Sequence, residues 1–189
     1  VKRQEKSDGS LLTEADIATQ EYIAKQLQVH WPETLFFGEE MTAEKQAECL
    51  KSNQEIWCLD PLDGTSNFAA GIPYFCISLS LIKNGQVILG VVYDPLRKEC
   101  FSASLNDGAT LNNEPLIITN TELSLKQAIA IIDFKRLSPG LANRLVCDSP
   151  YASQRSFGSV ALDWCWLASG RGHVYLHGQP VGAYPGASA

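Results

Sequence analysis

Two apolar runs meet at Asn84-Gly85, and this junction constrains the fold more than any other feature of the chain. The runs, Phe75–Ile82 and Gln86–Tyr93, are rich in β-branched and aromatic residues. An Asn-Gly pair between such runs is the strongest short-range hairpin signal, because both residues tolerate positive φ. Cys100–Ala103 follows closely and predicts a third antiparallel strand. Strands joined through tight turns do not fit a simple βαβ repeat, in which each strand returns through a helix.

Other elements flank this meander. Leu12–Val29 reads as a helix with Thr13 able to cap it and Glu14 and Asp16 at its positive end. Ile17, Ile23, Ala24 and Leu27 fall on one helical stripe, and His30-Trp31-Pro32 ends it. Thr34–Phe37 is a short apolar run. Thr42–Lys51 suits a surface helix, and Ile56–Leu59 a compact strand leading into Asp60-Pro61. Ala128–Phe134 reads as a strand and Ser159–Ala168 as a helix stopped by Gly170. Strands between separated helices predict an α/β (α+β) layered fold across a single domain, residues 1–189.

The length of 189 residues suffices to bury a core without staples. Apolar residues make up 45% and charged residues 19%, ordinary for a globular chain. No run of about 18 uncharged apolar residues occurs, so no membrane-spanning helix is expected. The opening VKRQEKSDGS lacks a signal peptide's apolar stretch, which points to the cytoplasm. Six scattered cysteines with no CxxC or CxxH pair argue against zinc and predict buried free thiols in a reducing compartment. Trp164 and Trp166 are expected to pack rather than to carry a ligand. A net charge of −6 without a basic cluster argues against nucleic-acid binding. Such a chain can still bind a phosphate ester if metal ions supply positive charge.

The stretch Asp60-Pro61-Leu62-Asp63-Gly64-Thr65-Ser66-Asn67-Phe68 holds that possibility. A strand ends there and delivers two carboxylates three positions apart. Pro61 restricts the backbone between them, and Gly64 permits a sharp turn and close approach of a ligand. A helix turn beginning near Thr65 would aim free N–H groups at the same place. Acids and amide donors converging together suit a cation and an anion sharing one site, with hard oxygen ligands favouring Mg²⁺ or Mn²⁺ over zinc. A D-x-x-D-G string alone fits a turn and a helix cap at least as well.

The whole nine-residue string, however, resembles the signature of the inositol monophosphatase family, lithium-sensitive metal-dependent phosphatases. Leu12-Thr13-Glu14-Ala15-Asp16 is similar to that family's T-x-x-D segment, and Phe37-Gly38-Glu39-Glu40 to its G-E-E element. Residues 71–103 resemble its following strands, and Arg155-Ser156-Phe157-Gly158-Ser159-Val160-Ala161 its R-x-x-G-S/T-A-A helix start. The resemblance runs over roughly residues 6–178.

The family resemblance implies a layered αβαβα sandwich of mixed, largely antiparallel sheets, and a homodimer. It implies Mg²⁺-dependent hydrolysis of a small phosphate monoester, inositol monophosphate first, with Mn²⁺ or Ca²⁺ able to occupy the site. By this resemblance Glu39, Asp60, Asp63 and the Leu62 carbonyl are metal ligands. Glu39, Thr65 and Asp16 are catalytic, and Gly64 and Thr65 hold phosphate oxygens. Gly158, Ser159, Val160 and His177 face the substrate's alcohol part. Asp16 also suits a helix start for its charge alone, and Gly158-Ser159 suits an ordinary helix start. His177 fits a structural role equally.

The match breaks after Gly178. A second family signature, W-D-x-A-A-G, is expected there and carries a further metal-binding aspartate, but the residues run Gln179 to Ala189 without it. The family's C-terminal part is therefore expected to be missing here, either because residues lie beyond those given or because the chain is shortened. A natural variant without catalysis is the third account, and it would expose a large apolar face. If the molecule ends at Ala189, weak metal affinity and little activity are expected.

Overall fold

The computed structural model describes residues 3–5, 11–51, 54–118 and 122–178. The chain divides into two compact units, Val1–Leu116 with Ser159–Cys165, and Ile117–Gly158 with Trp166–Ala189.

The first unit begins with a short antiparallel pair, β1 (Arg3–Glu5) and β2 (Leu11–Thr13). Helix α1 (Glu14–His30) follows, and Thr13 caps it in a full capping box with Asp16. Leu12 therefore lies in β2 and not in the helix. Of the expected stripe, Leu27 is buried but Ile17 is 43% exposed. The position that turns inward at the start of this face is Asp16, 2% exposed. A charged group takes the place of an apolar one because its partners come with it, as described below.

Next come β3 (Leu35–Gly38), α2 (Ala43–Lys51), β4 (Ile56–Asp63) and the short helix α3 (Thr65–Ala70). The meander then runs through β5 (Cys76–Lys83), β6 (Gln86–Asp94), β7 (Glu99–Ser104), β8 (Gly108–Leu111) and β9 (Glu114–Pro115). Seven strands, β3 to β9, lie side by side in chain order. Only β3 and β4 are parallel; every other neighbouring pair is antiparallel. This is the mixed, largely antiparallel sheet that the family resemblance implies, with the antiparallel β5–β6 hairpin that Asn84-Gly85 predicts. Asn84 and Gly85 both adopt positive φ, 53° and 73°, as a two-residue hairpin turn requires.

The second unit is built differently. Strand β10 (Ile129–Asp133) lies between β11 (Ser153–Arg155) and β12 (Val174–His177), and both pairings are parallel. Helix α4 (Pro139–Cys147) joins β10 to β11 and buries Leu145 in a cluster with Ala128, Ala130, Ile132 and Tyr151. The near-continuous apolar run of β10 is what a central parallel strand needs. Helix α5 (Val160–Ala168) starts in the first unit.

All six cysteines are free, but burial is uneven: Cys76 is buried and Cys147 is exposed. Trp164 departs from its expected packing role at 53% exposure, whereas Trp166 packs edge-on against Phe157 at 5.2 Å. Among the described residues no helix is long and apolar enough to cross a membrane.

Candidate metal and phosphate site

Parallel pairing of β3 with β4 sets Gly38 opposite Leu59, so the next residues, Glu39 and Asp60, emerge side by side. The Glu39 amide donates to the Leu59 carbonyl at 3.1 Å, which holds this alignment past the strand end. The two side chains share a hydrogen bond.

Asp60 and Asp63 present a geometrical problem. Side chains three apart on a regular strand point to opposite faces. The β4–β5 register resolves it: Asp60 pairs with Ser78 but Asp63 with Cys76, so β4 carries one residue more than β5 between these pairs. This β-bulge, at Pro61-Leu62, restores both acids to each other's field. Pro61 suits the bulge because it has no N–H to leave unpaired. The Leu62 amide donates to Asp60 Oδ1 at 3.0 Å and fixes that carboxyl.

The crowding appears in the acidities. Burial first, then the negative charges of Glu39 and Asp63, push the Asp60 carboxyl up to about 8. Burial also raises Asp63, against the opposing pull of the Ser159 hydroxyl and the Ala161 and Val160 amides.

Gly64 turns the chain out of β4. Its φ is +96°, and a Cβ there would lie 3.0 Å from the Tyr74 carbonyl and 3.2 Å from Phe75. Only glycine fits. The turn lets α3 begin at Thr65, and Phe68 packs edge-on against Phe75 at 5.1 Å. The Thr65 hydroxyl stands between two acceptors, Asp16 Oδ1 at 3.1 Å and the Leu62 carbonyl at 2.9 Å. Its single proton serves one of them at a time. Asp16 is held from behind, its Oδ2 accepting from the amide and hydroxyl of Thr13 at 2.8 and 2.5 Å. These bonds explain why a carboxylate replaces an apolar residue on the inner face of α1.

Asp63 has a task that sequence reasoning missed. Its Oδ2 accepts from Ser159 Oγ at 2.7 Å and from the Ala161 amide at 2.7 Å. Asp63 thus caps α5 from a distant strand, where a carboxylate meets free amides and the helix dipole. Ser159, expected to face substrate, is wholly buried with its hydroxyl turned to Asp63; the Val160 amide also reaches that carboxylate, while Val160 itself is 38% exposed. Cys76 Sγ completes this corner, 3.5 Å from Ser159 Oγ. Burial, then the nearby Asp63 charge, pushes its thiol well above the ordinary range.

The remaining two expected residues belong to the second unit. Gly158 is exposed with φ +87°. His177 pairs in register with Asp133, its Nδ1 lying 3.6 Å from Asp133 Oδ2, and its ring stacks on Tyr175.

Among the described residues no three His, Cys, Asp or Glu groups form a ready-made ion cage. Glu39 and Asp60 meet each other, while Asp63 turns one oxygen to α5. The donor chemistry still fits a hard divalent cation: carboxylate oxygens and a backbone carbonyl, in a place where added negative charge is already disfavoured.

The family model of the inositol monophosphatases matches residues 1–184. The chain belongs to the inositol monophosphatase family. Inositol monophosphatase 2 of Solanum lycopersicum is 34% identical over 171 residues, covering 85% of this chain and 63% of that protein. Nus factor SuhB of Pasteurella multocida is 36% identical over 177 residues, covering 90% of this chain and 64% of the relative. This inositol monophosphatase family chain thus spans less than two thirds of the length of either relative. Among solved structures, an IMPase/NADP phosphatase complexed with Mg²⁺ and phosphate superposes with a TM-score of 0.79 at 25% identity, over 92% of this chain and 64% of that one. The α+β fold with a mixed sheet is that of the family.

Proposed function

We propose that this chain carries the site of a divalent-metal-dependent phosphatase acting on a small phosphate monoester, inositol monophosphate before others. The bulge in β4 carries the reading: it sets Asp60 and Asp63 in one electrostatic field with Glu39, where a regular strand would send the two aspartates to opposite faces.

Glu39, Asp60, the Leu62 carbonyl and the second oxygen of Asp63 would hold Mg²⁺, with Mn²⁺ or Ca²⁺ as substitutes. The bound ion supplies charge neutralisation and a water of lowered pKa. With the Leu62 carbonyl turned to the ion, the Thr65 hydroxyl would donate to Asp16 alone, and its oxygen would accept a hydrogen bond that orients the attacking water. Glu39, exposed just past the end of β3, would receive the proton that this water gives up. The amides of Gly64 and Thr65, at the start of α3, hold phosphate oxygens. Gly158 and His177 are assigned to the alcohol part of the substrate. Val160 is assigned to it as well, and Ser159 acts on it through Asp63. The free thiols support a reducing, cytoplasmic setting, and a homodimer is carried over from the family.

Fructose 1,6-bisphosphate and 3′-phosphoadenosine 5′-phosphate are the alternative substrates, since the residues named make a metal site and do not select an alcohol. Phosphate release from a panel of these esters, with and without Mg²⁺ and with added Li⁺, tests the reading. Mg²⁺-dependent release suppressed by Li⁺ supports it; no release at any Mg²⁺ concentration overturns it. A second reading, a binding or regulatory homologue without catalysis, draws on the similarity to a Nus factor and on the Asp63 oxygen turned to α5. Calorimetry separates the two, because the second reading expects no metal-dependent binding of phosphate ester.

A further inference from the structure

We infer that Tyr74 is a positioning residue for Asp63, acting through α5. The inference rests on reading Asp63 as a metal ligand, but its structural core does not. Tyr74 is 5% exposed, and its hydroxyl donates to Asp163 Oδ1 at 2.8 Å. Asp163 is itself 4% exposed and lies in the first turn of α5. The Asp163 amide donates to the Ser159 carbonyl at 2.9 Å. Ser159 Oγ in turn donates to Asp63 Oδ2. Three successive hydrogen bonds therefore join the Tyr74 ring to the carboxylate.

Tyr74 also meets the phosphate-side turn. Its carbonyl accepts from Asn67 Nδ2 of α3 at 2.7 Å and closes over Gly64. The ring is held in place by Arg97, whose guanidinium lies 5.8 Å from its centroid and is tied to the fully buried Asp94 at 2.7 Å. One residue thus fastens both the Gly64 turn and the helix start that Asp63 caps. A phenylalanine would fill the same volume, so packing alone leaves the hydroxyl unexplained. Burying a tyrosine hydroxyl and a carboxylate together is tolerated only when they satisfy each other. The pair fixes the rotation of α5 about its axis, and that rotation decides whether the Ser159 hydroxyl and the Ala161 amide both reach Asp63.

The first amides of a helix have no partner within it. Exchange of the Ala161 amide in the metal-free protein, followed by NMR, therefore reports the Asp63 bond directly. Tyr74→Phe is expected to speed that exchange about tenfold while leaving β5 and β6 amides unchanged, the loss of one buried hydrogen bond. Asp163→Asn keeps a carbonyl oxygen for the hydroxyl and retains the protection. Titration with Mg²⁺ alone is expected to give an apparent Kd about tenfold weaker for Tyr74→Phe. Unchanged Ala161 exchange in Tyr74→Phe overturns the inference, as does equal acceleration across β5 and β6, which marks a merely structural role. Selective acceleration in a protein that binds no Mg²⁺ upholds the positioning of Asp63 and refutes the metal reading instead.

Discussion

Replacing Asp63 with alanine separates its structural task from its proposed chemical one. The carboxylate accepts from Ser159 Oγ and the Ala161 amide, both at 2.7 Å, with the Val160 amide beside them. Removing it strands donors in a corner where Ser159 has no exposure. A buried donor left unsatisfied costs about 1–3 kcal/mol, and a lost helix cap about 0.5–2 kcal/mol. Relief of the carboxylate's own burial offsets part of this, so Asp63→Ala is expected to destabilise by roughly 2–4 kcal/mol. Asp63→Asn keeps one acceptor oxygen and is expected to cost only about 1 kcal/mol. Urea unfolding followed by circular dichroism, at neutral pH with EDTA, measures both. A cycle with Ser159→Ala checks the mechanism, since the two substitutions remove one bond and their costs must not add. If Asp63→Ala unfolds within about 0.5 kcal/mol of the parent, a range ordinary for surface changes, the capping argument fails.

Three further outcomes follow from the same geometry. The Asp60 carboxyl titrates near 8 when folded against an ordinary 3.8, so its contribution is fully present below pH 4 and is lost as pH rises towards 8. The metal-free protein should lose stability as pH rises from about 4 towards 8, and Asp60→Asn should flatten that slope in urea titrations. Gly64→Ala forces a Cβ to 3.0 Å from the Tyr74 carbonyl at φ +96°; a loss of about 2 kcal/mol or more is expected by thermal unfolding. Thr65→Ala removes the hydroxyl between Asp16 and Leu62, and should lower kcat by roughly a hundredfold with little change in apparent Mg²⁺ affinity, read from steady-state kinetics.

Much of the first unit was legible because its signals are local. Asn84-Gly85 dictates a two-residue turn whatever surrounds it, and Thr13 with Asp16 forms a capping box within four residues. The second unit was less legible. Only β10 and the later part of α5 were foreseen there. Ser138-Pro139 is a readable helix start, with Pro139 in the first turn of α4. Strands β11 and β12 are three and four residues long, and their parallel partners lie far away in sequence. Short strands paired at such range leave little periodicity to detect. Ile17 misled for a related reason: its stripe is helical, but which stripe faces inward depends on what the helix meets.

The amino-acid order by itself determined the kinds of donor available, the turn at Gly64 and the family resemblance, because these depend on residue type and near neighbours. Only the tertiary structure decided that a one-residue bulge returns Asp60 and Asp63 to a shared field. It alone decided that Asp63 spends one oxygen on α5 and that Tyr74 holds the helix for it. Those facts join residues 74, 63 and 163 across the chain, and contacts between distant segments are set by how strands register and pack, which no local pattern encodes.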